Sequence, residues 1–322
     1  MIKLTFGLVG TFHGAPATIS GLEIFGVFMA TPSAFPIVRV KHSHGYTQAG
    51  WDIAPSAPLG TIVFVHGNPS SKFLFRHLIA AASQDYRCVA VDHIGMGDSD
   101  KPDAGAYDFH FEQRVDDLEN FLEARGVVGK ITLVMHDWGG VIGMRYAQRH
   151  PERIARLVIS NTAAFPLLAG KKLPKEIAFV RNTWLGGFLC KYMNAFQRGA
   201  VWRGVVGKMA PEIAKGYLSA HPSAHDCEAI LRFVRDIPLK PSERGYDKLL
   251  SLEKFLPSLA HLPIQLYWGL QDFVFDKDYL AAFQRIYPNA ETHAYADAGH
   301  WLTEDAHARM VPAFMEFLQR TN

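Results

Sequence analysis

The chain has 322 residues, 48% apolar and 20% charged, with a formal net charge of +2. That length fits one core with an insertion better than two full domains, and the composition is that of a soluble globular protein. The near-balanced charge speaks against a nucleic-acid partner, and no apolar run reaches the roughly 18 residues of a membrane helix.

Three scattered cysteines, Cys88, Cys190 and Cys227, predict buried free thiols rather than a disulfide framework or a zinc site. Residues 1 to 35 lack the long uncharged core and cleavage site of a secretory signal. Ile24 to Ala30 is apolar but short. This stretch is expected to be an extension outside the catalytic core; a membrane-touching segment and an overextended start are the other readings. From Pro36, PIVRVK and GYTQAGW predict two strands with a turn at His44-Gly45. His42 and His44 alternate along that stretch, which favours exposed strand residues over a metal pair.

Thr61 to Val65 predicts a buried strand running into His66-Gly67-Asn68-Pro69, a tight loop. The end of a strand is where an open α/β sheet places its site. Asn68 there is either an amide donor to developing negative charge or a turn residue satisfying its own backbone. Residues 71 to 83 predict a helix and Arg87 to Val91 a strand. The loop that follows holds Gly95 and Gly97, but the third glycine and the apolar helix of a dinucleotide fingerprint are missing. The loop is expected to turn the chain back at the site's edge. Phe111, Val115, Leu118, Phe121 and Leu122 mark one face of an amphipathic helix.

The stretch ITLVMHDWGGVIG, residues 131 to 143, organises the rest. Ile131 to Met135 has the apolar, partly β-branched character of a buried parallel strand. His136-Asp137-Trp138-Gly139-Gly140 then turns into a helix-compatible run from Val141 to Arg149. Strand, sharp turn and helix is the form of a nucleophile elbow, with Asp137 where serine is usual. A carboxylate is already ionised at neutral pH and can act as a covalent catalyst on a saturated carbon or a strained ring. The alternative is an N-cap.

Arg156 to Ser160 is the next strand. Between about Ala164 and Pro257 the alternation disappears and aromatic, Met, Gly and Pro content rises. Short helices are expected at Lys175 to Trp184, Phe188 to Phe196, Pro211 to Tyr217 and Asp226 to Asp236, forming a roof over a pocket. Phe165, Phe179, Trp184, Tyr192, Phe196 and Trp202 could line an apolar cavity, though most of them are expected to pack the insertion itself. Lys171, Lys172 and Lys175 are read as a solvated face. The sheet resumes at Ile264 to Trp268, just before Asp272. Asp276 and Asp278 look like a helix N-terminus. Glu291 to Tyr295 is the last strand, followed by Asp297-Ala298-Gly299-His300-Trp301. A final helix from about Glu304 to Arg320 is expected to break or restart at Pro312.

Nucleophile, acid and histidine thus follow in the order Asp137, Asp272, His300, each after a strand, which is the order of α/β-hydrolases. HGNPSSKFLFRHL, DHIGMGDSDKP, HDWGG, WGLQD and DAGHWLTED resemble the haloalkane dehalogenase branch of that superfamily. The resemblance covers about residue 60 to the end. It implies Asp137 as nucleophile, His300 as base and Asp272 as its orienting acid. It also implies Asn68 and Trp138 as side-chain donors to a departing anion, their backbone N–H groups completing the cradle.

A narrower resemblance links NTAAFP, the Lys171-Lys172-Leu173-Pro174 segment, MNAF and RFVRDIPL to the β-lactone decarboxylases of bacterial long-chain olefin biosynthesis. That resemblance implies decarboxylation of a cis-dialkyl β-lactone to a cis-alkene and carbon dioxide. It also implies a hydrophobic small-molecule substrate and association with other enzymes of that pathway. The expected fold is an α/β-hydrolase: a mostly parallel sheet flanked by helices, with core segments 36–163 and 258–322, a helical cap at 164–257 and the extension at 1–35. No cofactor or metal is expected, and the expected location is cytoplasmic, with membrane association as an alternative. The rival activity is haloalkane dehalogenation. Less favoured are an epoxide hydrolase, which would need cap tyrosines such as Tyr192 or Tyr217 aimed at the ring oxygen, and a non-catalytic ligand-binding protein.

Overall fold

A computed structural model describes residues 35–321. All of the expected N-terminal extension except Phe35 lies outside them. Among the described residues eight strands form one sheet: β1 (Ile37–Lys41), β2 (Thr47–Ile53), β3 (Thr61–Val65), β4 (Arg87–Val91), β5 (Ile131–Asp137), β6 (Ile154–Thr162), β7 (Ile264–Gly269) and β8 (Glu291–Tyr295). Their order is β1-β2-β4-β3-β5-β6-β7-β8. β1 and β2 pair antiparallel, as do β2 and β4, and every other neighbouring pair is parallel.

The two faces of the sheet follow from the two-residue period of a strand. In β3, Ile62 and Phe64 join Val134 and Val158 in one core cluster. That cluster is closed by α1 (Arg76–Ala82) and α12 (His307–Arg320). Val63 and Val65 point the other way, with Leu133, Met135 and Leu157. There they meet α2 (Phe111–Ala124), α3 (Trp138–Arg149) and α10 (Lys277–Ile286). Both faces of the central strands are covered, so their sequences are continuous apolar runs. Phe111, Val115, Leu118, Phe121 and Leu122 of α2 are all fully buried, as their spacing predicts. Cys88, Cys190 and Cys227 are buried free thiols.

Between β6 and β7 lie α4 (Lys175–Asn182), α5 (Trp184–Met193), α6 (Ala195–Arg203), α7 (Pro211–Leu218), α8 (Glu228–Arg235) and α9 (Tyr246–Phe255). The sequence reading missed α6 and α9 and ran α4 on to Trp184. Thr183 ends α4 and caps α5, its side chain accepting the Gly186 N–H at 2.9 Å. Residues 71 to 83 split into a 3-10 turn, Lys72–Phe75, and α1. The C-terminal helix breaks at Ala306, between α11 (Leu302–Asp305) and α12, while Pro312 sits within α12.

Two surface expectations are corrected. Lys171 is not a free solvated cation: it pairs with Asp276 and, at 2.6 Å, with Asp278, tying the segment before α4 to the start of α10. His42 and His44 lie in the turn after β1, and His42 is buried, its Nε2 bonded to Gln48 Oε1 at 3.0 Å. No helix among the described residues is long and apolar enough to cross a membrane.

Candidate active site

β5 passes into α3 with no loop between them. Asp137, at the junction, has φ 51° and ψ −127°, a backbone region costly for a residue with a side chain. It occupies the N-cap position of α3, but its side chain makes no capping bond there. Two glycines permit the turn. A Cβ on Gly139 would stand 1.9 Å from the Val65 carbonyl oxygen, and one on Gly67 would stand 2.1 Å from Asp137 Oδ1. Only a residue without a side chain lets α3 meet β3 and lets the carboxylate rest against the 66–69 backbone.

There the carboxylate is held on both sides. Asp137 Oδ1 accepts the Asn68 N–H at 2.6 Å, and the Trp138 N–H also favours the charged carboxylate. Oδ2 lies 3.7 Å from His300 Nε2. His300 Nδ1 is 2.8 Å from Asp272 Oδ2. Asp272 is buried, and it accepts Asn161 Nδ2 at 2.8 Å and the Val274 N–H at 2.7 Å. The structure therefore brings Asp137, His300 and Asp272 into one line across the carboxyl ends of β5, β7 and β8.

Charge follows burial and partners. Burial pushes the Asp137 carboxyl up to about 6, against the His300 charge and the N–H groups of Trp138 and Asn68. Burial also penalises the charged forms of Asp272 and His300, but their mutual attraction and hydrogen bond outweigh it. Asp272 is held below the usual carboxylate range and His300 above the usual imidazole. His136, pushed down to about 3 by burial and by the charge of His300, is neutral. Its Nε2–H donates to the His300 carbonyl at 2.8 Å.

These groups open onto a cavity of about 440 Å³. Asp137, His300, Asn68 and Trp138 all line it. Asn68 Nδ2 donates to the Ile230 carbonyl of α8 at 3.2 Å, leaving its second hydrogen for a guest. The rest of the wall is mostly apolar and comes largely from the segment between β6 and β7. Of the six aromatics that are candidates for a cavity lining, Phe165, Phe179, Phe196 and Trp202 line it, more than the expected few, and Trp184 and Tyr192 do not. The reason is helical phase: α5 turns Gly186, Leu189 and Cys190 to the cavity, which leaves Trp184 and Tyr192 on its outer face. Tyr217 is buried elsewhere, stacked on Trp301 and bonded to Glu304.

Sequence reasoning missed Asn161 and His136. Asn161 Oδ1 accepts the Gly269 N–H at 2.8 Å while its Nδ2 reaches Asp272, so it joins the end of β6 to the turn after β7. A polar amide at a strand's carboxyl end, on the edge that carries the acid, was a usable signal. Among the described residues, His42, His44 and Asp117 could hold a metal ion, their ligand atoms lying within 4.8 Å of one another. The Tyr46 N–H donates to His44 Nδ1 at 3.3 Å, which places the ring proton on Nε2, 3.0 Å from Asp117 Oδ1. His44 closes on Asp117 as a hydrogen bond, His42 Nδ1 lies 4.0 Å from Asp117 Oδ1 with no hydrogen-bond partner among the described residues, and none of the three lines the cavity.

A carboxylate on the turn after β5, an acid after β7 and a histidine after β8, at one edge of a sheet in this strand order, define the α/β-hydrolase class. A family model described as alpha/beta hydrolase fold matches residues 60–199. The crystal structure of haloalkane dehalogenase DbeA from Bradyrhizobium elkani shares the fold, with a TM-score of 0.79 at 20% identity over 89% of this chain and 98% of that one. The chain is 44% identical to cis-3-alkyl-4-alkyloxetan-2-one decarboxylase from Xanthomonas campestris, over 80% of this chain and 88% of that protein. It is 45% identical to the protein of the same name from Shewanella oneidensis, over 81% and 82%. A haloalkane dehalogenase from Mycolicibacterium smegmatis is more distant, 31% identical over 80% and 84%. The chain belongs to the family of these decarboxylases, within the α/β-hydrolase superfamily.

Proposed function

We propose that this chain converts a cis-3,4-dialkyl oxetan-2-one, a four-membered β-lactone, into a cis-alkene and carbon dioxide, with Asp137 as the nucleophile. The observation that carries this reading is 44–45% identity to two decarboxylases named for that substrate. The ionisable carboxylate at the floor of a largely apolar cavity supports it.

Asp137 Oδ1 accepts the Asn68 N–H while Oδ2 faces His300, so Oδ2 is the attacking oxygen. It bonds to ring carbon C4, and the C4–O1 bond breaks, leaving a carboxylate on C3. The spare Asn68 N–H and Trp138 Nε1 are the donors that hold this anion. The C3–carboxylate bond then breaks and its electron pair forms the C3=C4 double bond. The C4–Oδ2 bond breaks in the same step, releasing carbon dioxide and restoring the Asp137 carboxylate. Attack inverts C4, and departure of the two groups from opposite faces inverts the relation again, so a cis-lactone gives a cis-alkene. No water or external base is consumed. Asp272 favours the protonated form of His300, which balances negative charge beside Asp137, and Asn161 positions Asp272.

Incubation with a synthetic cis-dialkyl β-lactone, followed by gas chromatography, tests this. Wild-type protein is expected to give alkene and carbon dioxide, and Asp137→Ala none while remaining folded. Wild-type protein that gives no alkene refutes it. The 31% identity to a haloalkane dehalogenase supports a second reading: Asp137 displaces halide and His300 activates water against the ester. Halide release from bromoalkanes, measured beside lactone turnover, separates the two. With Tyr192 and Tyr217 both outside the cavity lining, the epoxide hydrolase reading has no tyrosine pair to use.

A further inference from the structure

Catalysis makes no use of the outer face of α5. Of the thirteen large apolar side chains exposed among the described residues, eight lie between residues 179 and 206. Those eight include every exposed aromatic of that group: Phe179, Trp184, Phe188, Tyr192 and Trp202. Trp184, Phe188 and Tyr192 recur every fourth residue along α5, so they share one face. Their rings meet in series, with centroids 6.0 and 4.9 Å apart. Trp184 is 76% exposed and Tyr192 60%, well beyond the scattered apolar residues of an ordinary surface.

The same stretch concentrates positive charge. Residues 171 to 215 hold nine lysines and arginines against two acids, Glu176 and Glu212, although Lys171, Arg181, Lys191 and Arg203 are ion-paired. Lys172, Arg198, Lys208 and Lys215 are exposed and form no ion pair among the described residues, and Lys175 is exposed with only its neighbour Glu176 beside it. The centre of a protein–protein interface is depleted in lysine. Aromatic rings interleaved with lysine and arginine are the composition of a surface at the headgroup level of an anionic bilayer. Phe179 and Trp202 belong to this patch and also line the cavity, so the cavity's rim is continuous with it.

We propose that this face rests on an anionic lipid bilayer, with Trp184, Phe188 and Tyr192 seated among the headgroups and the surrounding lysines against lipid phosphates. The docking stands on exposure and charge alone. Its consequence rests on the lactone reading: a substrate with alkyl arms would pass between bilayer and cavity without crossing water.

The test is cosedimentation of the full chain with vesicles of phosphatidylcholine, with and without about 30 mol% phosphatidylglycerol, at about 50 and 500 mM salt. Binding is expected with the anionic vesicles at low salt, falling about tenfold or more at high salt. A Trp184→Ser/Phe188→Ser/Tyr192→Ser variant should bind at least about tenfold more weakly, because the apolar area it would seat in the bilayer is lost. Its melting temperature and its turnover of a short, soluble lactone should match wild type, since these three side chains do not line the cavity. The vesicle readout does not depend on which reaction the site performs. Failure to bind any vesicle overturns the proposal, and so does binding that the triple variant leaves unchanged. A dimer, or a complex with a soluble protein, that the triple variant dissociates while vesicle binding is absent also overturns it.

Discussion

A single methyl group at Gly67 tests the geometry on which the chemistry depends. An alanine Cβ there would stand 2.1 Å from Asp137 Oδ1, 2.4 Å from Asp137 Cβ and 2.5 Å from the Trp138 nitrogen. Ordinary contact begins near 3.4 Å, so the carboxylate must retreat by about 1.3 Å. That exceeds the slack in the 2.6 Å bond from the Asn68 N–H, which would break. A misplacement of about 1 Å costs roughly a hundredfold in rate, so kcat for lactone turnover in Gly67→Ala should fall by about that factor or more. Overpacking costs about 1–3 kcal/mol, and at about 2 cal/mol/K per residue this lowers Tm by only about 2–4 °C. Gly105→Ala, where an added Cβ meets nothing within 4 Å, is the control and should leave both readouts unchanged. Kinetics on alkene release, beside circular dichroism melting, measures the two effects. A folded Gly67→Ala enzyme within about threefold of wild type would show that the carboxylate does not work from its place against this glycine.

Two further outcomes follow. Because burial lifts the Asp137 carboxyl to about 6, lowering the pH through that value protonates the nucleophile, and kcat/KM should fall about tenfold per unit below it; a limb centred near 4, the ordinary aspartate value, would contradict the buried carboxylate. Asn161→Ala removes a bond to Asp272 and leaves the Gly269 N–H without its acceptor, so kcat should drop about tenfold or more with little change in KM, the acid limb should move, and stability should fall by about 1–3 kcal/mol; an unchanged pH profile would assign Asn161 a purely structural part.

The core was legible because its chemistry is local. Continuous apolar runs in β3, β5 and β6 announce strands covered on both faces, and Asp137 between such a strand and two glycines announces the elbow. His300 and Asp272 were visible for the same reason, since each lies just past a strand and strand ends converge on one edge. The segment between β6 and β7 was harder. Its helices are short, and the break at Thr183 depends on a side-chain cap to Gly186 rather than on hydrophobic period. Trp184 and Tyr192 could not be told apart from the aromatics that line the cavity, because composition says that aromatics are present but not which way a helix is rotated. Lys171 was misread because its partners, Asp276 and Asp278, lie about a hundred residues away.

What the amino-acid order determined by itself was the sheet, the elbow and the candidates for the reacting groups, because each depends on residue type and on neighbours a few positions apart. Tertiary structure alone decided how those groups titrate, that Asn161 anchors Asp272, and which face of α5 looks inward. Those properties arise from burial and from contacts between distant segments, and they exist only once the chain has closed around the cavity.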